Sequence, residues 1–374
     1  MDLYFLDKNR ELVGIIDTAK SIQWLERYYE VGKFEVYIEV SQSVLEIVNQ
    51  SYFIAREDSS YIGVIEFIEN EDDVENGNYL IIQGRMSESL IGRRIIRNIS
   101  YFSNTSLFNI CNSLLQLNIL NPVLQANETV SPRKMSCLNT TVINKLINNS
   151  IVSEIQASFE NNLLEFLVDL LKVNGASIRL ELTENGTFDV VVYEGIDRSY
   201  NQEANAYVVF SKDFDNLISS NYVFNSQGET NALYVGGEDN ENAEEGRYID
   251  KYELPVGSGV ISDIDRIESF VNASDLKQSW EEEQANGTKV QHSLTTDEYR
   301  KLLVARGKNS VVMPSEELIA NVDITTYVYN VDYFLGDIVT IENATLGAYV
   351  NKRLIGMDII DDENGHALEP TFEE

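Results

Sequence analysis

The stretch of residues 15–40 constrains the fold of this chain more than any other segment. In its last part, polar side chains alternate with the apolar side chains of Phe34, Val36, Ile38 and Val40. A period of two is typical of a strand that buries one face. Before it comes an aromatic segment with Trp24, Tyr28 and Tyr29, and Gly32 marks the turn between them. The pattern predicts a hairpin, which needs further strands to close its sheet.

Composition indicates a globular chain with an unusual charge. The 374 residues are enough for roughly two to three domains. A hydrophobic content of 43% and a charged content of 24% are ordinary for folded proteins. The net charge of -33 argues against binding nucleic acid, because phosphate binding needs a basic face. Solubility explains this charge, and so does a surface that must not adhere to nucleic acid.

Cysteine usage and hydropathy bear on the compartment. Cys111 and Cys137 are the only cysteines, which fits a reducing compartment or a fold without disulfides. Cys111 lies in an apolar helical pattern and is predicted to be a small core residue. Charged residues interrupt the first eleven positions, so no signal peptide is expected. No apolar run approaches the ~20 residues of a membrane helix. We expect a soluble product made in a cytoplasm.

Residues 1–100 have an all-β pattern. Strands are predicted at residues 3–6, in the opening hairpin, at 61–68 and at 79–84. Gly63 within a strand suggests a bulge or a close backbone approach. The sequence Asn76-Gly77-Asn78 between apolar runs is a strong hairpin signal. Strands at this spacing predict a small barrel or sandwich.

Residues 101–196 are predicted to form an α+β module. Ser106 is a candidate cap for a helix that carries Leu107 and Cys111 and ends at Asn121-Pro122. A shorter helix is predicted at residues 139–147. A clearer one has an apolar stripe over residues 163–171 and ends at Gly175. Two alternating segments, 178–182 and 188–192, then form a hairpin around Glu184-Asn185-Gly186.

A second β-rich part is predicted at residues 197–237 and 319–374, with an insertion at 238–318. Its strands are expected at 207–210, 231–235, 320–329, 338–342 and 346–360, with Gly236-Gly237 ending the second. We expect the strands before and after the insertion to pair. Within the insertion, residues 238–247 are an acidic loop. Surface helices are predicted at 275–284 and 295–306; the second opens with Thr295 and Glu298 at capping-box spacing and ends at Gly307.

The residues that usually carry catalysis are scarce. The two histidines, His292 and His366, lie in polar stretches without metal-ligand spacing and are predicted to be surface residues. Residues 256–260 contain Gly257-Ser258-Gly259, whose spacing differs from a nucleophile elbow and indicates a flexible loop. Acidic clusters at 72–73, 239–241 and 361–363 lack the ligand spacing of a calcium loop and are interpreted as solvated turns. We therefore predict no enzyme and no catalytic, cofactor-binding or metal-binding residues.

Two alternatives stay open. With 61 acidic residues, a pair at the separation used by glycosidases will occur by chance, so a cell-wall glycosidase is not excluded. The 20 tyrosines fit strand packing best, but exposed aromatic side chains also suit a carbohydrate-binding module. Release of sugar from cell walls supports the first alternative, and glycan binding by the monomer supports the second.

An ordered set of segments resembles the tail-tip hub proteins of long-tailed phages and Gram-positive prophages. The set spans almost the whole chain and consists of residues 24–40, Gly195-Ile196-Asp197-Arg198-Ser199, residues 210–217 with Tyr234-Val235-Gly236-Gly237, residues 332–339, and Asn364-Gly365 near the end. The resemblance implies an α+β, β-rich, multidomain baseplate-hub fold. Two β-barrel-like domains would be joined by the α+β module and would carry the small inserted domain.

The resemblance also implies a structural function in the virion tail tip. Three chains would close a homotrimeric, pseudo-six-fold ring that caps the tail tube and continues its channel. A trimer meets a hexameric ring only if each chain presents two equivalent surfaces. Expected partners are the tail tube or distal tail protein, and fibre, receptor-binding or tip proteins; DNA only passes through, and no membrane is involved. An acidic channel wall would repel DNA. Because the chain stops at Glu374, we expect any cell-wall hydrolase to be a separate polypeptide, unless a longer protein has been cut.

Overall fold

A computed structural model describes residues 1–73, 77–124, 128–158, 161–254, 260–284, 288–323, 326–343 and 348–373. The first part of the chain contains β1 (Leu3–Leu6), β2 (Leu12–Ile16), β3 (Ala19–Arg27), β4 (Lys33–Glu39), α1 (Gln42–Gln50), β5 (Phe53–Arg56), β6 (Ile62–Asp73), β7 (Gly77–Met86) and a short 3-10 helix (Ser87–Arg93). The middle part contains β8 (Ser100–Ser106), α2 (Leu107–Leu115), a π-helical turn (Gln116–Leu120), β9 (Leu138–Lys145), β10 (Ile151–Ala157), α3 (Leu163–Val173), β11 (Ser177–Leu182) and β12 (Phe188–Tyr193).

The remaining elements follow in chain order. They are β13 (Val209–Phe210), a 3-10 turn (Lys212–Phe214), β14 (Leu217–Asn225), β15 (Ala232–Asp239), β16 (Arg247–Glu253), a 3-10 turn (Asp263–Asp265), β17 (Glu268–Asn272), β18 (Ser279–Glu283), β19 (Lys289–Ser293), α4 (Thr296–Asn309), β20 (Ser315–Val322), β21 (Ile338–Asn343), β22 (Ala348–Asp362) and β23 (Gly365–Glu373). The fold is β-rich with a smaller helical share, as predicted.

One large sheet joins the two ends of the chain. Among the described residues its strand order is β14-β20-β23-β22-β3-β4-β7-β6-β5-β1-β2, and β21 extends from β22 to reach β13. Pairing of β3 with β22 connects the strands of residues 1–100 to those that follow residue 200. The smaller sheets are β8-β10, β9-β12-β11, β16-β15-β17 and β18-β19.

Three apolar clusters hold these layers together. The largest lies under the joined sheet and draws on both ends of the chain, from Leu3 to Phe372. A second packs α2, α3 and the sheet of β9, β11 and β12 against β1, β5 and β6. A third lies between α4 and the sheet of β15–β17, with Tyr299 fully buried at its centre. Burial of apolar side chains is the main stabilising contribution of each cluster.

Several sequence predictions are confirmed. β3 and β4 form the expected antiparallel hairpin, with Trp24 opposite Phe34. Asn162 caps α3, Gly175 follows it with a φ of +70°, and β11 and β12 form the predicted hairpin. Cys111 is buried in α2. α4 begins with the Thr295–Glu298 capping box. The strands on either side of the insertion do pair, β14 with β20 and β13 with β21.

Two predicted helices are wrong. Residues 138–145 form β9, which pairs in parallel with β12, instead of a helix at 139–147. Residues 279–283 form β18, which pairs with β19, instead of part of a helix at 275–284. In both cases the backbone hydrogen bonds go to a segment that is distant in sequence or lies beyond a turn. Such tertiary pairing overrides a local helical pattern.

Other boundaries differ in detail. Gly307 lies inside α4, where a Cβ would come within 2.9 Å of Tyr252 and Val235, so the glycine allows the helix to pack closely on the small sheet. Gly236 and Gly237 continue β15 to Asp239 instead of ending it, and β15 pairs with β16 and β17, outside the large sheet. The strand expected at 320–329 is Ser315–Val322. Ser106 precedes α2 but its side chain makes no cap hydrogen bond. Asn76 and residues 256–259 lie outside the described residues.

Candidate assembly site

The pairing of β3 with β22 forms the junction between the two halves of the large sheet. Trp24 lies opposite Ile359, and Glu26 lies opposite Met357. Every second residue of β3 points into the core, so the alternation that buries Trp24 also buries Glu26. Around this junction meet three of the segments that carry the family resemblance: residues 24–40, 195–199 and 332–339.

Glu26 is a fully buried acid that links the two halves. Its two carboxylate oxygens accept hydrogen bonds from Ser59 Oγ and Tyr329 Oη, each at 2.5 Å. Trp24 Nε1 donates to the same Ser59 hydroxyl at 3.2 Å. Burial raises the pKa of Glu26, and these hydrogen bonds partly offset the effect. Sequence reasoning did not identify Glu26. Its spacing of two residues from Trp24 places it on the buried face of the strand, and this spacing could have predicted its burial.

Arg56 is a buried base that makes a second link. Its guanidinium donates to both oxygens of Asp58, at 2.6 and 2.9 Å, and to Asp361 Oδ2 at 2.9 Å. Asp361 also contacts His366 Nδ1 at 2.8 Å. The prediction that residues 361–363 form only a solvated turn is therefore wrong for Asp361, which belongs to β22 and pairs with a buried cation. A pair of this kind contributes mainly to orientation, because desolvation cancels much of its attraction.

Tyr28 packs against a glycine that no other residue could replace. Gly336 has a φ of +95°, and a Cβ there would overlap the Tyr28 ring. The Tyr28 hydroxyl donates to Gly175 O at 3.0 Å and accepts from Gly195 N at 3.3 Å. Arg353 lies over the same ring and donates to Gly336 O at 2.7 Å. The ring thus ties the first part of the chain to the α+β module and to the last strands.

Asp337 fixes the two later resemblance segments to each other. One of its carboxylate oxygens accepts from Ile196 N at 2.7 Å, and the other accepts from Arg198 Nε at 2.6 Å. The acid is nearly fully buried and the arginine is mostly buried. Residues 195–199 lead out of the α+β module, so this ion pair sets the direction in which the chain enters the second half of the sheet.

Glu88 is a second buried acid, on the short 3-10 helix after β7. Burial raises its pKa to about 7; main-chain hydrogen bonds and Arg179 oppose the shift. Its Oε2 has no hydrogen-bond partner among the described residues. Tyr61, also fully enclosed, has its pKa raised well above the usual value by burial and by Tyr193. The group of buried ionisable side chains around the junction is therefore extensive.

Three cavities formed by the described residues are lined by neither Glu26 nor Glu88. One of them, of about 860 Å³, lies between β10, α3 and α4. Three carboxylates do line it, Glu154, Asp169 and Glu373. Glu154 accepts hydrogen bonds from the hydroxyls of Tyr101 and Ser103, which anchors it to β8. The junction chemistry is thus that of a structural link between elements.

The histidines and acidic clusters occupy the surface. His292 stacks on Trp280 and contacts Glu282 at 3.0 Å on the β18–β19 hairpin, and His366 is exposed at the end of β22 and β23. Within the described ranges, no group of three or more metal-ligating side chains could hold an ion. In the same part of the chain, no helix has the length and apolarity needed to cross a membrane.

Two unpaired strand edges of the large sheet, β14 and the outer part of β6, flank a run of eight strands. The run is β14-β20-β23-β22-β3-β4-β7-β6, and each neighbouring pair is antiparallel. Among the described residues, β14 pairs on one side only, and so does the outer part of β6 beyond Ile65. In a run of eight antiparallel strands, the first and the last strand point in opposite directions. In a head-to-tail contact, β6 of one copy therefore lies antiparallel to β14 of the next copy. An unpaired strand edge is a template for association.

One face of this eight-strand run carries an excess of acids. We call the side facing away from the large core cluster the outer face. Register places on it the carboxylates of Glu35, Glu39, Glu69, Glu71, Asp358, Asp362 and Glu369. Its basic side chains include Arg27, which pairs with Asp358, and Arg85, which pairs with Glu66. The acids are exposed or half-buried, so the outer face has a negative potential.

Comparisons with known proteins bear on this architecture. The model of the family described as Siphovirus ReqiPepy6 Gp37-like protein matches residues 2–372. Comparison with curated proteins gave no match.

Among solved structures, the tail protein from Neisseria meningitidis MC58 superposes with a TM-score of 0.55 at 10% identity, covering 100% of this chain and 96% of that one. The 43 kDa tail protein of prophage MuSo2 from Shewanella oneidensis gives 0.50 at 10% identity, covering 100% and 98%. Prophage tail protein gp18 from Listeria monocytogenes EGD-e gives 0.50 at 10% identity, covering 100% and 94%. At this identity, the three structures show a common fold.

Proposed function

The chain belongs to the Siphovirus ReqiPepy6 Gp37-like protein family, a family of phage tail proteins, and from this we propose that three copies form the hub ring at the tail tip. The chain is a structural protein of the tail type. In the proposed ring, the hub caps the tail tube above and meets fibre, receptor-binding or tip proteins below. Its location is the virion tail, after synthesis in the bacterial cytoplasm.

The observation that best supports a ring is the eight-strand run with two open edges. Head-to-tail contact of β6 with β14 continues the antiparallel alternation, and a contact that repeats in this way closes a ring when the rotation fits. Three copies would supply twenty-four strands around one axis. Closure removes the exposed edges, which are a liability in a single chain.

We propose that the two halves of the large sheet are the two barrel-like domains of the hub. The first half comprises residues 1–100, and the second comprises 197–237 and 319–374, apart from residues 232–237 of β15, which pair within the small sheet of the inserted domain. The α+β module, 101–196, supports both, and the inserted domain, 238–318, projects from the second. Two similar halves per chain give a trimer six comparable positions, which matches the six-fold tube. The buried links of Glu26 and Arg56 hold the halves at one angle.

We propose that the outer face lines the channel. The acids Glu35, Glu69 and Asp358 would then face the DNA during its passage. Like charge keeps phosphates from adhering, whereas a basic wall would bind them through counterion release. The net charge of -33 fits a protein that DNA must pass without binding.

We also propose that the chain has no enzymatic activity of its own. The family is one of tail proteins, and the most strongly perturbed acids, Glu26 and Glu88, serve inside the fold. Loss of turbidity or release of sugar from Gram-positive cell walls by the purified chain would contradict this. Saturable glycan binding by the monomer would favour a receptor module.

Two measurements test the proposed ring: the molar mass of the particle in solution and its shape in electron micrographs. Light scattering of the purified full chain is expected to give three times the 42.4 kDa monomer mass at high concentration. Electron microscopy is expected to show three-fold rings with six peripheral lobes and a central hole. A compact particle without a hole, or a stable dimer, overturns the proposal.

Edge closure has its own test. Proline substitutions at the neighbouring residues Ser220 and Asn221 of β14 form a matched pair, because one N–H points to β20 and the other to the open edge. A proline at the position whose N–H points to the open edge is expected to leave the melting temperature unchanged and to prevent ring formation, because proline has no N–H to donate to the next copy. The inward-facing proline is expected to lower the melting temperature. If the variant with the unchanged melting temperature still forms rings, edge pairing is wrong.

A further inference from the structure

A cluster of basic side chains comes from residues 93–97 and from residues 133–134 of the α+β module, and among the described residues it has one distant acidic partner. We call it the arginine surface; it consists of Arg93, Arg94, Arg97, Arg133 and Lys134. In the described part of the chain, none of the last four forms an ion pair, and Arg93 reaches Glu66 only at 3.9 Å. In the same chain, whose net charge is -33, other arginines such as Arg266 and Arg306 pair with carboxylates.

The arginine surface is held in place without being neutralised. Arg94 Nε donates to Arg133 O at 2.9 Å, and Arg133 Nη2 donates to Ile95 O at 2.6 Å. The buried Asn118 accepts from Arg97 N at 2.9 Å. Arg133 Nε is buried without a partner among the described residues. Main-chain carbonyls thus fix the guanidinium groups of Arg94 and Arg133 without neutralising their charge.

Exposed apolar side chains flank the arginine surface. Ile95 is 51% exposed, Leu117 is 45% exposed, and Val130 is 69% exposed. Apolar side chains beside arginines are typical of protein interfaces, where arginine is enriched at the contact. Nucleic acid fits less well, because a small basic surface would have to overcome the repulsion of the whole chain.

We propose that the arginine surface docks onto a carboxylate-rich face of a neighbouring copy of this chain, as a lateral contact of the ring proposed above. A copy that carries 61 acidic residues supplies the complementary charge. The same surface cannot meet itself across a two-fold axis, because arginines would face arginines. In the proposed ring, the arginine surface of each copy meets a carboxylate-rich face of the next copy, and this contact is head-to-tail, the type that closes rings. It also offsets the repulsion between chains of charge -33.

The test compares two double charge reversals in the full chain. R97E/K134E changes two exposed positions of the arginine surface, and K301E/K308E changes two exposed positions of α4 by the same net charge. We expect R97E/K134E to raise the dissociation constant of the trimer at least about tenfold, and K301E/K308E to leave it within about twofold. Wild-type assembly is expected to weaken as salt rises from about 50 to about 500 mM. Sedimentation measures the constants, and thermal melts check folding.

Zero-length cross-linking identifies the contact directly. In a mixture of isotopically heavy and light chains, carbodiimide is expected to join Lys134 to carboxylates in heavy–light pairs. If R97E/K134E assembles like the wild type, or if Lys134 cross-links only within chains, the docking proposal fails while the ring stands. A wild type that stays monomeric removes both. Saturable binding of a DNA duplex that R97E/K134E loses would overturn the proposal in favour of a nucleic-acid surface.

Discussion

Glu88 provides a direct test of how burial controls stability in this fold. The residue is 5% exposed, and burial raises the pKa of its carboxyl group from 4.5 to about 7. Because the folded state holds the proton to a higher pH than the unfolded state does, Glu88 contributes its full stability below pH 4.5. That contribution is lost as the pH rises to about 7. A substitution that cannot titrate removes this dependence.

The substitution Glu88→Gln keeps the shape of the protonated acid and cannot lose a proton. Each unit of pKa difference corresponds to about 1.4 kcal/mol, so the change from 4.5 to about 7 is worth about 3 kcal/mol. The free energy of unfolding of the variant, minus that of the wild type, is therefore expected to rise by about 3 kcal/mol between pH 4.5 and 7. Above pH 7 the difference is expected to stay constant.

Urea unfolding at half-unit steps from pH 4.5 to 8.5 measures this difference. The charges of Arg179 and Glu26 influence Glu88, but both are present in the two proteins, and most of their own effect cancels. The exposed Glu57 gives a matched control: Glu57→Gln is expected to show a small difference at every pH. A difference for Glu88→Gln that does not change with pH would refute the account of a neutral, buried carboxyl group.

Four further changes test particular contacts. Arg56→Ala leaves Asp361 without its buried partner and is expected to cost about 3–5 kcal/mol in urea unfolding, whereas Lys308→Ala is expected to cost under about 0.5. Gly336→Ala combines a positive φ with an overlap on the Tyr28 ring, so a loss of at least about 2 kcal/mol is expected; an unchanged melting temperature would contradict the packing. Thr295→Ala removes the capping box of α4 and is expected to lower the free energy of unfolding by about 1 kcal/mol, whereas Thr295→Ser is expected to retain most of the wild-type stability. Burial raises the pKa of Cys111 to about 12, so a thiol reagent at pH 8 is expected to label it only after unfolding; rapid labelling of the folded chain would show that α2 is open.

Sequence patterns correctly predicted those helices and strands whose caps or apolar periodicity lie within the element itself. The apolar stripe of α3, the capping box of α4 and the alternation of β4 each specify structure over about ten residues. β9 and β18 were mistaken for helices because their strand partners lie elsewhere in the sequence. Nothing within residues 138–145 indicates that β12 will provide the hydrogen bonds. Non-local pairing is the information that a single sequence carries least clearly.

The assembly site was partly accessible to sequence reasoning. Three of the segments that carry the family resemblance do meet at the junction, where Arg198 binds Asp337 and Tyr28 packs on Gly336. The strand period could also have placed Glu26 in the core. Its partner Tyr329 could not have been found, because it comes from a segment about 300 residues away and from an irregular stretch. The arginine surface is likewise assembled from two separate turns.

The charges buried at the junction are better explained by the angle they fix than by the stability they add. Glu26, Arg56 and Tyr28 each bind groups from the other half of the sheet or from the chain that leads into it. Apolar residues of similar volume would fill the same space and would avoid the free-energy cost of removing charged groups from water. They would also allow the halves to slide, since apolar contacts have little directional preference. Directional hydrogen bonds of these buried polar groups favour one register of β3 on β22. In the proposed ring, the register of β3 on β22 sets the position of the second half of each chain relative to the first. The ring matches a six-fold tube only if this position is correct, which explains why buried polar groups are retained at the junction.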